Sequence, residues 1–435
     1  MASTPMIWKI QILERHRVKA IALLYVISTA LLVFLYRQGS ARVDRGTEPG
    51  MRDLGTYLKA GSNFIQSADP YSDPAMRLGP SLLPFFGLID LAIPHTLLAI
   101  TFQIMCVLGP LFLVQQISQI SPWINPSLYF AIMWLSSIRE NLVNIQITGL
   151  LAILVSLGIL IRRKNLGLVG NFIGLFLIAI SVDTKPHLLG LFALVYFLID
   201  KRISDFVKIL GIICVNHAIL SLLNGHYLTL SWAKTILGLY DSKSRGELGE
   251  SLVLWPLIER FGINSQVTTL LATVVFVLLV LFTLRKAIHS RRDMLINLVL
   301  SLSVPSFGVF FHYYDLSLAI SLFFAFLYLK KKILWMVILL PIYLIPSGVS
   351  EPRNLAFALT IFLIFLMLDD ILQVSLVQHI FLTAIVFSLY ATTLKFVPTE
   401  IRQHFQVTFA SVSMLMTCFL FQFKNSKSIV PRNMK

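Results

Sequence analysis

Charge is what this chain has least of. Asp, Glu, Lys and Arg make up 13% of its 435 residues, against about a quarter in a water-soluble domain. Hydrophobic residues fill 57%, and apolar runs long enough to cross a hydrocarbon core of roughly 30 Å recur from end to end. The ~10-residue alternation of a membrane β-barrel is missing. These absences exclude a soluble enzyme and an outer-membrane barrel, and they leave an all-α, polytopic transmembrane helical protein.

Cysteine is nearly absent too. Cys106, Cys214 and Cys418 are the three present; each falls inside an apolar run without metal-type spacing and reads as a small core residue. No glycine-rich phosphate loop of the Walker kind, HExxH or GxSxG occurs. The expected cytoplasmic loops are too short for nucleotide-binding domains. No cofactor, and no acidic cluster for a metal, is expected. Any chemistry must therefore draw on an activated substrate delivered through the membrane.

Basic residues outnumber acidic ones, 36 to 21, for a net charge of +15. Their placement argues against nucleic acid as a partner. They sit in short clusters at 15–19, 162–164, 201–202, 285–286, 291–292, 330–332 and 424–427, separated by apolar spans. That is the pattern of cytoplasmic loops in a membrane protein. The first apolar run, 18–36, is too long for a signal-peptide core and ends in YRQGSARVDRG rather than a small-residue cleavage site. It reads as an uncleaved first helix, with both termini of the chain cytoplasmic.

The whole chain, 1–435, reads as one integral membrane domain. Expected spans are 18–36, 95–117, 122–137, 142–161, 166–182, 186–200 and 205–225, then, within the C-terminal part 266–435, 266–284, 294–311, 313–329, 333–348, 354–371, 378–396 and 406–423. The piece 81–93, flanked by Pro80, Pro84 and Pro94, is too short and reads as re-entrant or interfacial. About 12 to 14 crossings result. Residues 166–200 as one helix would run about 52 Å, so the chain must break at DTKP, where Pro186 restricts Lys185. A similar break falls at HYYD, 312–315.

With the basic clusters inside, two long loops, 37–79 and 226–264, face outward. The first holds a helix-like stretch, DLGTYLKAGSNFI, stopped by ADPYSDP. A random loop carboxylate such as Asp53 is ordinarily just solvated; at a membrane face against apolar walls it can act as a general base. Lys185, beside Asp183 and His187, is placed either to anchor at the interface or to hold a phosphate. Arg139, Asn144 and Gln146 form another polar group, and His312 with Tyr313, Tyr314 and Asp315 a further one, although a lone histidine there is more often a satisfied core residue. Their gathering on one side suggests a single outward pocket. A transporter or lipid-linked sugar flippase is the competing class, since transporters also place charge at helix breaks; a purely structural protein leaves the clustering unexplained.

The order of these residues resembles glycosyltransferase family 87 of the C-type superfamily, the polyprenyl-phosphate-mannose-dependent α-mannosyltransferases. The resemblance is carried by Asp53, Tyr57, the DPY of Asp69–Tyr71 and LGPSLLP (78–84) in the first loop. It continues in Arg139 with NIQITG (144–149), Lys185-Pro186, SW (231–232) with GESL (249–252) and LIERFG, and SVPSFGVFFHYYD (303–315). It implies a C-type glycosyltransferase fold and an inverting transfer of a hexose, mannose foremost, from a polyprenyl-phosphate sugar donor to a lipid or glycan acceptor. The setting is the outer face of a bacterial plasma membrane. It further implies Asp53 as the base, with Lys185, His312 and Arg139 at the donor phosphate. Tyr57, Tyr71, Gln146, His187 and Trp232 would contact substrate. The chain departs from the family pattern at Ile145 (glycine there), at Glu250 (asparagine) and in the SFG of 306–308.

The topology makes a direct prediction. In a chain freed of its three native cysteines, Ser242→Cys is labelled by an impermeant maleimide in intact cells, whereas Lys201→Cys is labelled only after permeabilisation.

Overall fold

The structure is a computed structural model. It describes residues 52–238 (except 74, 121, 123, 124 and 134), 265–289, 293–307 and 313–330, with single positions between 23 and 34, at 343, and from 410 to 420. Every regular element among the described residues is helical. In chain order these are α1 (Arg52–Ile65), α2 (Leu83–Ala92), α3 (His95–Ser118), α4 (Pro126–Met133), α5 (Ser136–Asn144), α6 (Thr148–Arg163) and α7 (Gly167–Thr184). They continue with α8 (Pro186–Ile199), α9 (Ile203–Asn224), α10 (Leu228–Gly238), α11 (Ser265–His289), α12 (Met294–Ser303) and α13 (Ser317–Leu329). Short 3-10 turns lie at Pro80–Leu82, Val304–Phe307 and Tyr313–Leu316.

By length and composition α3, α7 and α9 can each cross a membrane, and the bent pair α5–α6 makes a fourth candidate. The shorter apolar helices Pro80–Ala92, Pro186–Ile199, Met294–Phe307 and Tyr314–Leu329 accompany them. The protein is thus an all-α polytopic membrane protein. Most of 18–36, and most of the expected spans beyond residue 330, lie outside the described residues.

Two boundaries differ from the sequence reading. The pieces expected at 122–137 and 142–161 are instead α4, α5 and α6, and α6 turns off α5 by 110°. The elbow is Ile145, which adopts a left-handed conformation (φ 50°, ψ 57°) and ends α5. A β-branched residue gives no sequence signal for that geometry, which costs about 1–2 kcal/mol. It persists because the Ile145 side chain is fully buried. The expected span 294–311 stops as an α-helix at Ser303, where Pro305 leaves the chain in a 3-10 turn. The outer loop 226–264, for which the sequence suggests short amphipathic helices, opens with α10.

The core is built on α13, whose residues from Ser317 to Leu327 are all buried, as expected of a helix that is apolar all round and enclosed by neighbours. Helices α3, α4 and α12 pack on it, and α12 also packs on α8. By contrast α9 leaves Val207, Leu210, Val215, Ile219 and Leu222 exposed, the kind of apolar surface a membrane-spanning helix presents. Between helices in lipid no hydrophobic gain remains, so close approach and interhelical hydrogen bonds decide the packing. Two glycine pairs supply the approach. A Cβ on Gly149 of α6 would collide with the Met105 carbonyl of α3, and one on Gly61 of α1 with the backbone of Gly87 in α2.

The bundle has two unlike ends. One carries Arg162, Arg163 and Lys164 at the α6 terminus and Lys201 and Arg202 before α9. There Arg162 pairs with Asp205, bonds Asn171 Oδ1 at 3.2 Å, and lies 4.7 Å over the Phe197 ring. The other end gathers the α5–α6 elbow, the α7–α8 break, the Tyr313–Leu316 turn and α1.

The packing predicts a contrast in thermal unfolding of the detergent-purified protein. Gly149→Ala overpacks the α3–α6 contact and costs about 1–3 kcal/mol. Gly211→Ala, where an added Cβ meets nothing within 4 Å, is neutral or raises Tm slightly through helix propensity.

Candidate active site

The break between α7 and α8 is a single residue. Lys185 (φ −132°, ψ 74°) closes α7 and precedes Pro186, the first residue of α8. The extended backbone required before proline is what stops α7 there. The Lys185 carbonyl then accepts the Leu188 and Leu189 amides at 3.1 and 3.0 Å. Its side chain runs inward and is only 4% exposed. Nζ donates to Asp315 Oδ1 at 2.7 Å, Thr148 Oγ1 at 3.2 Å and Gln146 Oε1 at 3.3 Å. It also lies 5.4 Å over the Tyr314 ring. All three ammonium donors thus meet oxygen acceptors, the condition under which a buried ion pair is tolerable.

The elbow at Ile145 presents Gln146 to the same place. Its Oε1 accepts from Lys185 and from Tyr57 Oη at 3.1 Å, and its Nε2 donates to Asp53 Oδ2. The Gln146 carbonyl meanwhile accepts from Cys106 Sγ of α3 at 3.1 Å. Asp53 and Tyr57 stand one turn apart on α1, so they share a face. Burial drives the Tyr57 phenol well above its ordinary pKa, with Asp53 and Asp315 adding to the effect against the Gln146 bond. Tyr57 is therefore a hydroxyl donor at any working pH. One hydrogen-bonded chain runs from Asp53 through Gln146 to Lys185 and Asp315, drawing on four separated stretches of sequence.

A second polar group lies beside it. Asp183, two residues before Lys185, accepts from the Ser81 amide at 3.0 Å and bonds His217 Nε2 at 2.7 Å. His217 Nδ1 lies 2.8 Å from Thr229 Oγ1, and Asn216 donates to Ser81 Oγ at 2.8 Å. The Trp232 ring meets His217 edge-on with centroids 6.3 Å apart, and its Nε1 donates to the Arg77 carbonyl at 3.2 Å. Tyr71 Oη donates to the Leu78 carbonyl at 2.9 Å, and its amide closes a turn on Asp69 Oδ1 at 3.0 Å. Burial raises the Tyr71 phenol well above its usual pKa as well. These bonds tie the first loop to α7, α9 and α10. A cavity of about 880 Å³ opens along α9 and the start of α10, with His217, Ser221 and Thr229 in its wall.

The structure brings Asp53, Tyr57, Gln146 and Lys185 into contact. It places Tyr71 and Trp232 in the second group. Arg139 is buried on α5, which packs on the Tyr313–Leu316 turn, and Asn141 of the same helix donates to the Tyr314 carbonyl at 3.0 Å. His187 is half-buried at the start of α8, in electrostatic reach of Lys185 and Asp315. His312 lies outside the described residues. Sequence reasoning did not single out Thr148 or His217, and it saw Asp315 only as part of a polar cluster. For His217 a signal existed, since an ionisable residue within an apolar span is costly and needs a partner. Among the described residues no group of three or more His, Cys, Asp and Glu is arranged to hold a metal ion.

The fold defines a polytopic membrane protein with a buried polar cluster at one end of its bundle. The model of glycosyltransferase family 87 matches residues 80–311, more than half of the chain. The chain belongs to that family, whose members are glycosyltransferases. A comparison with curated proteins gives no match.

The Lys185–Asp315 pair predicts a thermodynamic cycle. Lys185→Met strands a buried carboxylate and costs about 3–5 kcal/mol, whereas Lys185→Met with Asp315→Leu recovers most of that loss. Thermal unfolding in detergent reads both.

Proposed function

We propose that the protein moves a hexose, mannose foremost, from a polyprenyl-phosphate donor to a lipid-linked or glycan acceptor at the outer membrane face, with inversion at the anomeric carbon. The observation that carries this reading is the hydrogen-bonded chain Asp53–Gln146–Lys185–Asp315 in a family 87 member. It stands at the end of the bundle opposite the basic clusters, which the positive-inside rule assigns to the cytoplasm. The reading extends to a C-type fold with both termini cytoplasmic and to a bacterial plasma membrane.

In this mechanism Asp53 takes the proton of the acceptor hydroxyl as its oxygen attacks the anomeric carbon. The bond from that carbon to the donor phosphate oxygen breaks, and the electron pair leaves on the prenyl phosphate. Lys185, with Arg139 and His312, neutralises the charge that develops there. Fixed cations act most strongly where water is excluded. Phosphate oxygens arriving at this end compete with Asp315 for Lys185. Tyr71, Trp232 and His187 border the sugar and prenyl path. Tyr57 and Gln146 lie against Asp53.

Membranes bearing the wild type or Asp53→Asn, given radiolabelled polyprenyl-phosphate mannose and a native lipid extract, test the reading. Loss of a general base lowers transfer by about 10²–10⁴-fold. Wild-type turnover in a well-folded Asp53→Asn variant removes Asp53 as base. Donor that crosses the bilayer unchanged, equally in both proteins, replaces transfer with flipping.

A further inference from the structure

Gln146 has no polar atom to spare. Nε2 is given to Asp53 and Oε1 is shared by Tyr57 and Lys185, while the side chain is 1% exposed. Its amide cannot be turned over. The carbonyl would then face a carboxylate and the NH2 would face two donors.

We propose that Gln146 is a positioning residue of the transferase, locking the Asp53 carboxylate in place and coupling it to the Lys185–Asp315 pair rather than reading the sugar. This rests on the assignment of Asp53 as base. The physical case has three parts. Asp53 lies at the start of α1, which is held to α2 by backbone contact at Gly61 and Gly87; nothing in that contact fixes the rotamer of a carboxylate two turns away. The Gln146 N–H engages one carboxylate oxygen, Oδ2, from the side of the α5–α6 elbow. A hydrogen bond given to a carboxylate also favours its ionised form. The Lys185 charge polarises the amide from its carbonyl side and strengthens the N–H donation.

Tyr57 on its own helix and Tyr314 of the turn both feel the Asp53 charge, and the Lys185–Asp315 pair is linked to this carboxylate through Gln146. The elbow that aims Gln146 is the left-handed Ile145. That strain is kept at the backbone position that aims Gln146 at Asp53, as strain at functional sites tends to be.

The test uses the full-length protein in detergent as wild type, Gln146→Leu and Gln146→Glu. Glutamate keeps an acceptor for Tyr57 and Lys185 but has no N–H for Asp53. The first readout is carbodiimide coupling of glycine ethyl ester to Asp53 as a function of pH, followed by peptide mass spectrometry. A hydrogen bond to a charged group is worth roughly one to two pH units, so the half-labelling pH rises by about one unit or more in both variants. The second is transfer from polyprenyl-phosphate mannose into a native lipid extract. There kcat falls by about 10- to 100-fold, as for a misplaced catalytic group, with donor KM little changed.

An unmoved labelling midpoint in folded Gln146→Glu overturns the positioning role. So does a raised donor KM with kcat intact, which marks a sugar-binding residue. The labelling curve needs no turnover. It therefore judges Gln146 even where Asp53→Asn leaves transfer intact and the base assignment falls.

Discussion

The Lys185 ammonium has almost no water around it, and its charge organises this end of the protein. Burying an ion costs several kcal/mol unless partners of good geometry answer it. Here the answer comes from Asp315 on the turn before α13, Thr148 at the start of α6, and Gln146 at the elbow. Meeting the lysine thus fixes the relative heights of three helix ends. Pro186 forces the break that puts Lys185 there, so a single backbone restriction propagates into the placement of α6, α8 and α13.

Asp53 is brought to this pair from outside the bundle core. Helix α1 of the first loop is amphipathic: Leu54, Leu58 and Phe64 are buried in the core, its backbone approaches α2 at Gly61 and Gly87, and Asp53 and Tyr57 bond Gln146. The first loop is held a second time through Asp183, which takes the Ser81 amide, and through Trp232, which bonds the Arg77 carbonyl. Apolar burial and polar bonds carry this attachment together. The lysine pair, the elbow and the loop are thus linked into one unit, which suits the proposed transfer, where reacting groups must hold fixed relative positions.

The legible part of the site was its inventory. Asp53, Tyr57 and the ADPYSDP stop were readable because a polar, proline-punctuated stretch stands out among apolar runs, and α1 spans the helix-like part of it. The break at Lys185 followed from length, since no single helix of that size fits a bilayer. The elbow at Ile145 was not legible. Isoleucine favours neither a turn nor a left-handed backbone; the burial of its side chain and the bonds of the Ile145 and Gln146 amides to the Asn141 carbonyl hold it there. For His217 the sequence carried the signal of an ionisable residue in an apolar span, but not its partner: Asp183 is 34 residues away, on another helix.

Sequence alone determined the class. A lack of charge, repeated apolar runs and clustered Lys and Arg follow from the solvent the chain must satisfy, and solvent acts on each segment separately. It also determined where the chain must break, because proline acts on its own neighbours. Tertiary structure alone decided which polar groups meet. Which acceptor oxygen answers Lys185, and which amide faces Asp53, depends on close approach between helices distant in sequence, set by glycine contacts and one left-handed residue. Those are distances between segments, and no pattern within a segment records them.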